Sequence, residues 1–132
     1  MSTHTWEWPI RVLLVEDEPL WQEGVRVLLE NSSRYVLVGV AEDFESALRD
    51  FQTFQPQIVL LDWKIRGAQD GLAVGAWLMG QGVSPEHIVL ISSSSPSSIP
   101  AHPFLHIPKS RLADELLPLL ESVAGPVTKG SY

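Results

Sequence analysis

The chain has 132 residues, enough for one domain. Its 45% hydrophobic and 19% charged composition is that of a globular protein and excludes disorder as its main state. With 9 basic residues against 16 acidic ones the net charge is −7, so no basic face exists to collect nucleic-acid phosphates. It has no cysteine, which excludes disulfides, thiolate nucleophiles and cysteine-based zinc sites. The longest apolar run, residues 71–80, is well short of the ~20 residues a membrane span needs. Residues 1–9 lack the basic start and apolar centre of a signal peptide and read as an N-terminal extension. A cytoplasmic protein is the simplest expectation.

Along the chain, short β-rich runs alternate with helical patterns. Residues 10–15 (IRVLLV) are nearly all apolar, as in a strand buried on both faces. Leu20, Gly24, Val25, Leu28 and Leu29 follow at helical spacing. Residues 35–41 (YVLVGVA) predict a second strand. Asp43 can cap a second helix that aligns Ala47, Leu48, Phe51 and Phe54. Residues 58–61 (IVLL) predict a third strand ending at Asp62, and after a glycine-bearing loop residues 72–79 predict a third helix. Gly75 lowers that helix's propensity by roughly 1 kcal/mol. Residues 87–92 (HIVLIS) and 104–107 (FLHI) predict strands four and five. Ser110 can cap a last helix bearing Leu112, Leu116, Leu117, Leu120 and Val123, which Pro118 should kink or split. Residues 125–132 read as a tail or the start of a linker.

The pattern fails between strands four and five. Residues 92–103 (SSSSPSSIPAHP) hold six serines and three prolines and cannot form an amphipathic helix. A polar loop is expected there, with the fourth helix short or absent. The alternation predicts an α/β fold over residues 10–124, a doubly wound parallel sheet with helices on both faces. In such sheets ligands bind at the carboxyl ends of the strands. Glu16 and Asp17 end the first strand, Asp62 the third and Ser92 the fourth, and Lys109 follows the fifth. Three carboxylates, a hydroxyl and an amine therefore share one edge. Hard oxygen donors of this kind suit Mg2+, and lysine suits a phosphate oxygen. Without a cation the carboxylates repel, by roughly 4 kcal/mol per pair at about 4 Å and an effective dielectric of about 20. A bound ion or a raised pKa must relieve that repulsion.

These residues carry a resemblance. VLLVEDEP (12–19), IVLLDWKI (58–65), Asp70-Gly71, VLIS (89–92) and IPKS (107–110) resemble, in order, the strand-end motifs of the response-regulator receiver domain of two-component signalling. The resemblance covers about residues 10–124. It implies a flavodoxin-like sheet of strand order 2-1-3-4-5. It implies that Asp62 accepts a phosphoryl group from a sensor histidine kinase or phosphotransfer protein. Asp17, Asp62 and the backbone carbonyl of Lys64 would ligate Mg2+, with Glu16 acting through water. Ser92 and Lys109 would bind the phosphoryl oxygens, and Ser92 and His106 would form the switch. Any enzymatic activity would be limited to self-phosphorylation and self-dephosphorylation on Asp62.

The chain departs from the family pattern in several places. His106 occupies the aromatic switch position, with a surface histidine as the competing reading. Ile65-Arg66 replaces the usual Met-Pro, and the loop from Asp62 to Gly71 is one residue longer than typical. Lys64 can cover a phosphoryl group or sit in solvent. Trp63 and Trp77 are expected to pack at helices, and Trp6 and Trp8 to cover a sheet end or form a contact patch. Two other function classes stay open: a degenerate receiver that binds partners independently of phosphate, and the receiver half of a DNA-binding transcription regulator. Homodimerisation, the cognate kinase and the output target are not legible. No phosphate-binding glycine fingerprint or nucleophile elbow is present, and His4, His87, His102 and His106 have no metal spacing.

Overall fold

A computed structural model describes residues 6–124 and 127–129, with side chains from Trp8 to Ala124. Its elements in chain order are β1 (Trp6–Trp8), β2 (Ile10–Val15), α1 (Pro19–Glu30), β3 (Tyr35–Ala41), α2 (Phe44–Phe54), β4 (Ile58–Asp62), α3 (Gly71–Gly80), β5 (Ile88–Ser92), β6 (Leu105–Pro108), α4 (Leu112–Ala124) and β7 (Val127–Lys129). Strands β2 to β6 form one parallel sheet ordered β3-β2-β4-β5-β6. Counted along the main sheet alone, this is the expected order 2-1-3-4-5. β1 and β7 pair separately as a parallel two-stranded ribbon. The readings made for His4, for the Trp6 side chain and for residues 125–126 and 130–132 lie outside the described residues.

The central strands are apolar because both faces are covered. Every residue of β4 and β5 is buried, as are five of the six in β2. Successive side chains point to opposite faces and divide the core in two. Val12, Leu14, Leu60, Val89 and Ile91 pack with Val25 and Leu29 of α1 and Leu112, Leu116 and Leu120 of α4. Leu13, Val15, Val59, Leu61 and Leu90 pack with Ala47 of α2 and Val74 and Leu78 of α3. Asp43 caps α2 as expected: its carboxylate accepts the Ser46 N–H at 2.8 Å, and Ser46 closes the box in return.

On the second face, a full helix is missing between β5 and β6. A single 3-10 turn, Pro96–Ser98, stands in the crossover. Ile99 and Phe104 bracket the rest of it and are the two crossover residues buried in that core. Gly75 makes room for the Phe104 ring, since a Cβ on Gly75 would lie 2.4 Å from the ring tip. The glycine that weakens α3 locally therefore serves packing across the interface.

Five local expectations need correction. Leu20 is not on the buried face of α1 but 77% exposed, because the helix turns Val25 and Leu29 inward. β5 begins at Ile88, with His87 in the preceding 3-10 turn, and β6 begins one residue after Phe104. Ser110 lies inside a 3-10 turn, Lys109–Arg111, rather than capping α4. Of the two outcomes expected of Pro118, a kink or a split, the split does not occur, and α4 runs from Leu112 to Ala124. That proline sits on the exposed side, where water can satisfy the carbonyl it leaves unpaired, while the buried stripe Leu112, Leu116, Leu120 and Ala124 holds the helix together.

Candidate functional site

Parallel pairing brings the carboxyl ends of β2, β4, β5 and β6 to one edge. Glu16 follows the last residue of β2, and Asp62 closes β4 in register with Ile91 of β5. Ser92 closes β5, and Lys109 follows β6. Glu16, Asp62, Ser92 and Lys109 are the buried polar and charged residues among those described, all at this edge. Asp17 is half-buried and leaves the pocket open to solvent.

One cation holds the buried acids. The Lys109 ammonium donates to Asp62 Oδ2 at 3.1 Å and is 2.7 Å from Glu16 Oε1. It also lies 5.0 Å from the Trp21 ring centroid, in cation–π range. Glu16 Oε2 accepts the Glu18 N–H at 3.1 Å. Burial dominates the titration of both acids. Glu16 is pushed up to about 7, with the Asp62 charge adding to the rise and Lys109 opposing it. Asp62 is also raised by burial, against the pull of Lys109. Burial alone would lower the Lys109 pKa, but its hydrogen bonds and ion pairs with the two acids outweigh that and raise it.

One carboxylate oxygen each from Glu16, Asp17 and Asp62 lie within 4.8 Å of one another. Three hard oxygen donors this close fit Mg2+, which keeps several waters and uses few protein carboxylates. Burial raises the pKa of both acids, and the Lys109 ammonium offsets that rise only in part.

The backbone beside Asp62 is crowded. The Gly71 N–H donates to the Trp63 carbonyl at 2.7 Å, and a Cβ on Gly71 would lie 1.9 Å from the Asp62 carbonyl oxygen. Only glycine fits there. Asp70 caps α3 by accepting the Ala73 N–H at 3.0 Å, and its other oxygen accepts the Trp63 indole N–H at 3.1 Å. Trp63 packs on the second core as expected, and Trp77 meets Phe51 edge-on at 5.6 Å. Lys64 is exposed, its ammonium 4.7 Å from the Trp63 ring centroid. The Ser92 hydroxyl accepts the Ser94 N–H at 3.0 Å. His106 is on β6 opposite Leu90, and its Nε2 is buried with no hydrogen-bond partner among the described residues. Burial lowers its pKa, and His102 beside it adds to the effect. Trp8 is half-buried, with its indole N–H donating to the Ser33 carbonyl.

The sequence reading missed Trp21, Gln22, Glu42 and Arg66 as parts of this edge. Trp21, in the first turn after the acidic pair, was open to the inference. Gln22 is in the same turn of α1, and Glu42 meets both it and Arg66 across loops that carry no periodic signal.

Residues 12–102 match the response regulator receiver domain family. The chain belongs to that family. The matched span ends before Lys109, so the place of that lysine in the receiver site rests on the contacts just described. The chain is 33% identical over 90 residues to the probable transcriptional regulatory protein NarL of Mycobacterium tuberculosis, covering 68% of this chain and 41% of that protein. It is 31% identical over 90 residues to the probable C4-dicarboxylate response regulator DctR of Halalkalibacterium halodurans, covering 68% and 39%. The receiver spans about two-fifths of the length of these relatives. Among solved structures it superposes on the signal receiver domain of the putative response regulator NarL from M. tuberculosis with a TM-score of 0.75 at 27% identity, covering 89% of this chain and 98% of that one. The signal receiver domain of a modulated diguanylate cyclase from Desulfovibrio desulfuricans gives 0.72 at 29% identity, covering 86% and 92%. The receiver is thus a signalling module of two-component systems rather than a classical enzyme. No described helix is long and apolar enough to cross a membrane.

Proposed function

We infer that this receiver accepts a phosphoryl group on Asp62 from a phosphohistidine of a sensor kinase or phosphotransfer protein. The observation that carries the reading is the buried Lys109 ammonium held between Asp62 and Glu16, beside a half-open third carboxylate. The buried Asp62 at the strand end can attack, and its Lys109 partner can then turn from the carboxylate to a phosphoryl oxygen.

An Asp62 carboxylate oxygen bonds to phosphorus as the phosphorus–nitrogen bond breaks, and the imidazole nitrogen keeps the electron pair and takes up a proton. Asp17, Asp62 and the Lys64 carbonyl would hold Mg2+ directly, with Glu16 acting through water. Mg2+ supplies charge neutralisation for the phosphoryl oxygens and alignment of the attack. Lys109 follows the transferred group by pairing with its oxygens, and the Ser92 hydroxyl gives up the Ser94 amide to donate to another. A groove beside this edge supports docking of the donor there. An apolar groove of about 600 Å³ lies between α1 and the start of α4, lined by Leu20, Trp21, Val27, Leu28, Ala113 and Lys109.

Transfer from a phosphohistidine-bearing donor with Mg2+ tests the reading. The expected product is a labelled chain whose label is released by hydroxylamine, as from an acyl phosphate, and is absent in Asp62→Asn. A folded wild-type chain that takes up no label is a degenerate receiver, and its function is then constitutive binding.

A further inference from the structure

The acceptor loop, residues 62–71, lacks the proline that usually stiffens it in this family and carries Arg66 instead. Arg66 is tied down twice. Its Nη1 donates to Glu42 Oε1 at 2.9 Å, and its main chain forms an isolated parallel bridge with Asp43. Glu42 Oε2 in turn accepts from Gln22 Nε2 at 3.3 Å, and the same amide donates to the Glu16 carbonyl at 2.7 Å. Asp43 is itself fixed as the cap of α2. Arg66 thus joins the loop carrying Asp62 to the one carrying Glu42 and, through Gln22, to the one carrying Glu16 and Asp17. The base of the loop is closed separately by the Trp63 indole on Asp70 and by the Gly71 amide on the Trp63 carbonyl. Lys64 and Ile65 are the two residues between these anchors.

We propose that Arg66 is a positioning residue for the cation site: clamped to Glu42, it fixes the stretch of main chain that presents the Lys64 carbonyl. The proposal rests on the phosphoacceptor reading above. Arg66 and Glu42 are both well exposed, with side-chain exposures of 63% and 44%, so their attraction contributes little to overall stability. Its effect is on where the loop sits. Geometry and plain electrostatics predict opposite signs. A cation near three carboxylates repels Mg2+, so if charge alone mattered, removing Arg66 would tighten Mg2+ binding and Arg66→Glu would tighten it further. A lost clamp weakens binding in both.

Calorimetric titration of the full chain with Mg2+ alone, at near-physiological ionic strength, separates the two. Arg66→Lys keeps a cation of similar reach and should stay close to wild type. Arg66→Ala should lose affinity by about three-fold, the scale of one exposed pair, and Arg66→Glu by more, because it repels Glu42. Hydrogen exchange without metal gives a second readout: amides 64–66 should exchange faster in Ala and Glu but not in Lys, with the rest of the sheet unchanged. Equal or tighter Mg2+ binding in the Ala and Glu variants, or unaltered exchange at 64–66, overturns the proposal and leaves the phosphoacceptor reading standing. A folded wild type that binds no Mg2+ overturns both.

Discussion

Two regions of this receiver meet the same sheet and answer to different demands. The carboxyl-end edge holds Glu16, Asp62, Ser92 and Lys109 buried at strand ends, with the ammonium 2.7 Å and 3.1 Å from two acids. The β5–β6 crossover, a few residues away, has replaced a helix with one 3-10 turn and two apolar side chains, Ile99 and Phe104. At the edge the charges interact strongly because they are buried, so each side chain must be of one type and in one place. The crossover has only to exclude water from Leu90 and its neighbours, and any shape-matched apolar plug will do so. The strand-end contacts are thus present together with a rebuilt outer face.

The largest effect expected is at the edge. Lys109→Ala leaves two buried acids without their cation, and breaking such a pair costs about 3–5 kcal/mol. Chemical denaturation at neutral pH should show this loss, together with failure to retain phosphate. Loss of under about 1 kcal/mol would mean that the acids are hydrated and the edge is not the dry cluster described. Next comes the crossover. Phe104→Ala opens a cavity under α3 and should cost about 3 kcal/mol, while phosphoryl uptake per folded molecule is unchanged. Uptake falling in step with stability would erase the distinction between the regions.

A smaller effect tests the fit between α3 and the plug. Gly75→Ala should cost about 1–3 kcal/mol by overpacking the Phe104 ring, and Phe104→Leu in the same chain should recover part of it. Thermal melts of the two single variants and the double variant measure the coupling; strict additivity would show that Gly75 and Phe104 do not share a space.

The smallest expected effect is in pH. Glu16 has its folded pKa raised to about 7 from 4.5, so its contribution to stability is full below 4.5 and is lost as pH rises through about 7. The metal-free chain should therefore gain more thermal stability from Mg2+ at about pH 8 than at about pH 6, since the ion replaces the lost proton. His106 runs the other way. Its pKa is lowered, so its contribution is present above the ordinary histidine value and fades as pH falls through the folded one. An equal Mg2+ increment at both pH values would place the titration elsewhere.

Much of this was legible in the sequence because burial on both faces writes near-continuous apolar runs, and a polar residue ending such a run stands out. Asp62 after IVLL and Ser92 after IVLI are of that kind. The site followed from strand ends without any contact being known. Pairwise fit between distant segments was not legible. Gly75 read as a weak helix position because its reason, the Phe104 ring, lies 29 residues on in another element. Arg66 and Glu42 meet across two loops, where no period marks them. That α4 continues through Pro118 was not legible, because local propensity does not show which side of a helix faces water or how firmly the buried stripe holds it.

The central claim, that Asp62 at this edge is the phosphoacceptor, is tested most directly by the mass of the intact protein after exposure to a small-molecule phosphodonor. Wild type with Mg2+ should gain one phosphoryl group, and neither the chelator-treated chain nor Asp62→Asn should gain any. A folded wild type that gains nothing, or an Asp62→Asn chain that gains as much as wild type, would contradict it.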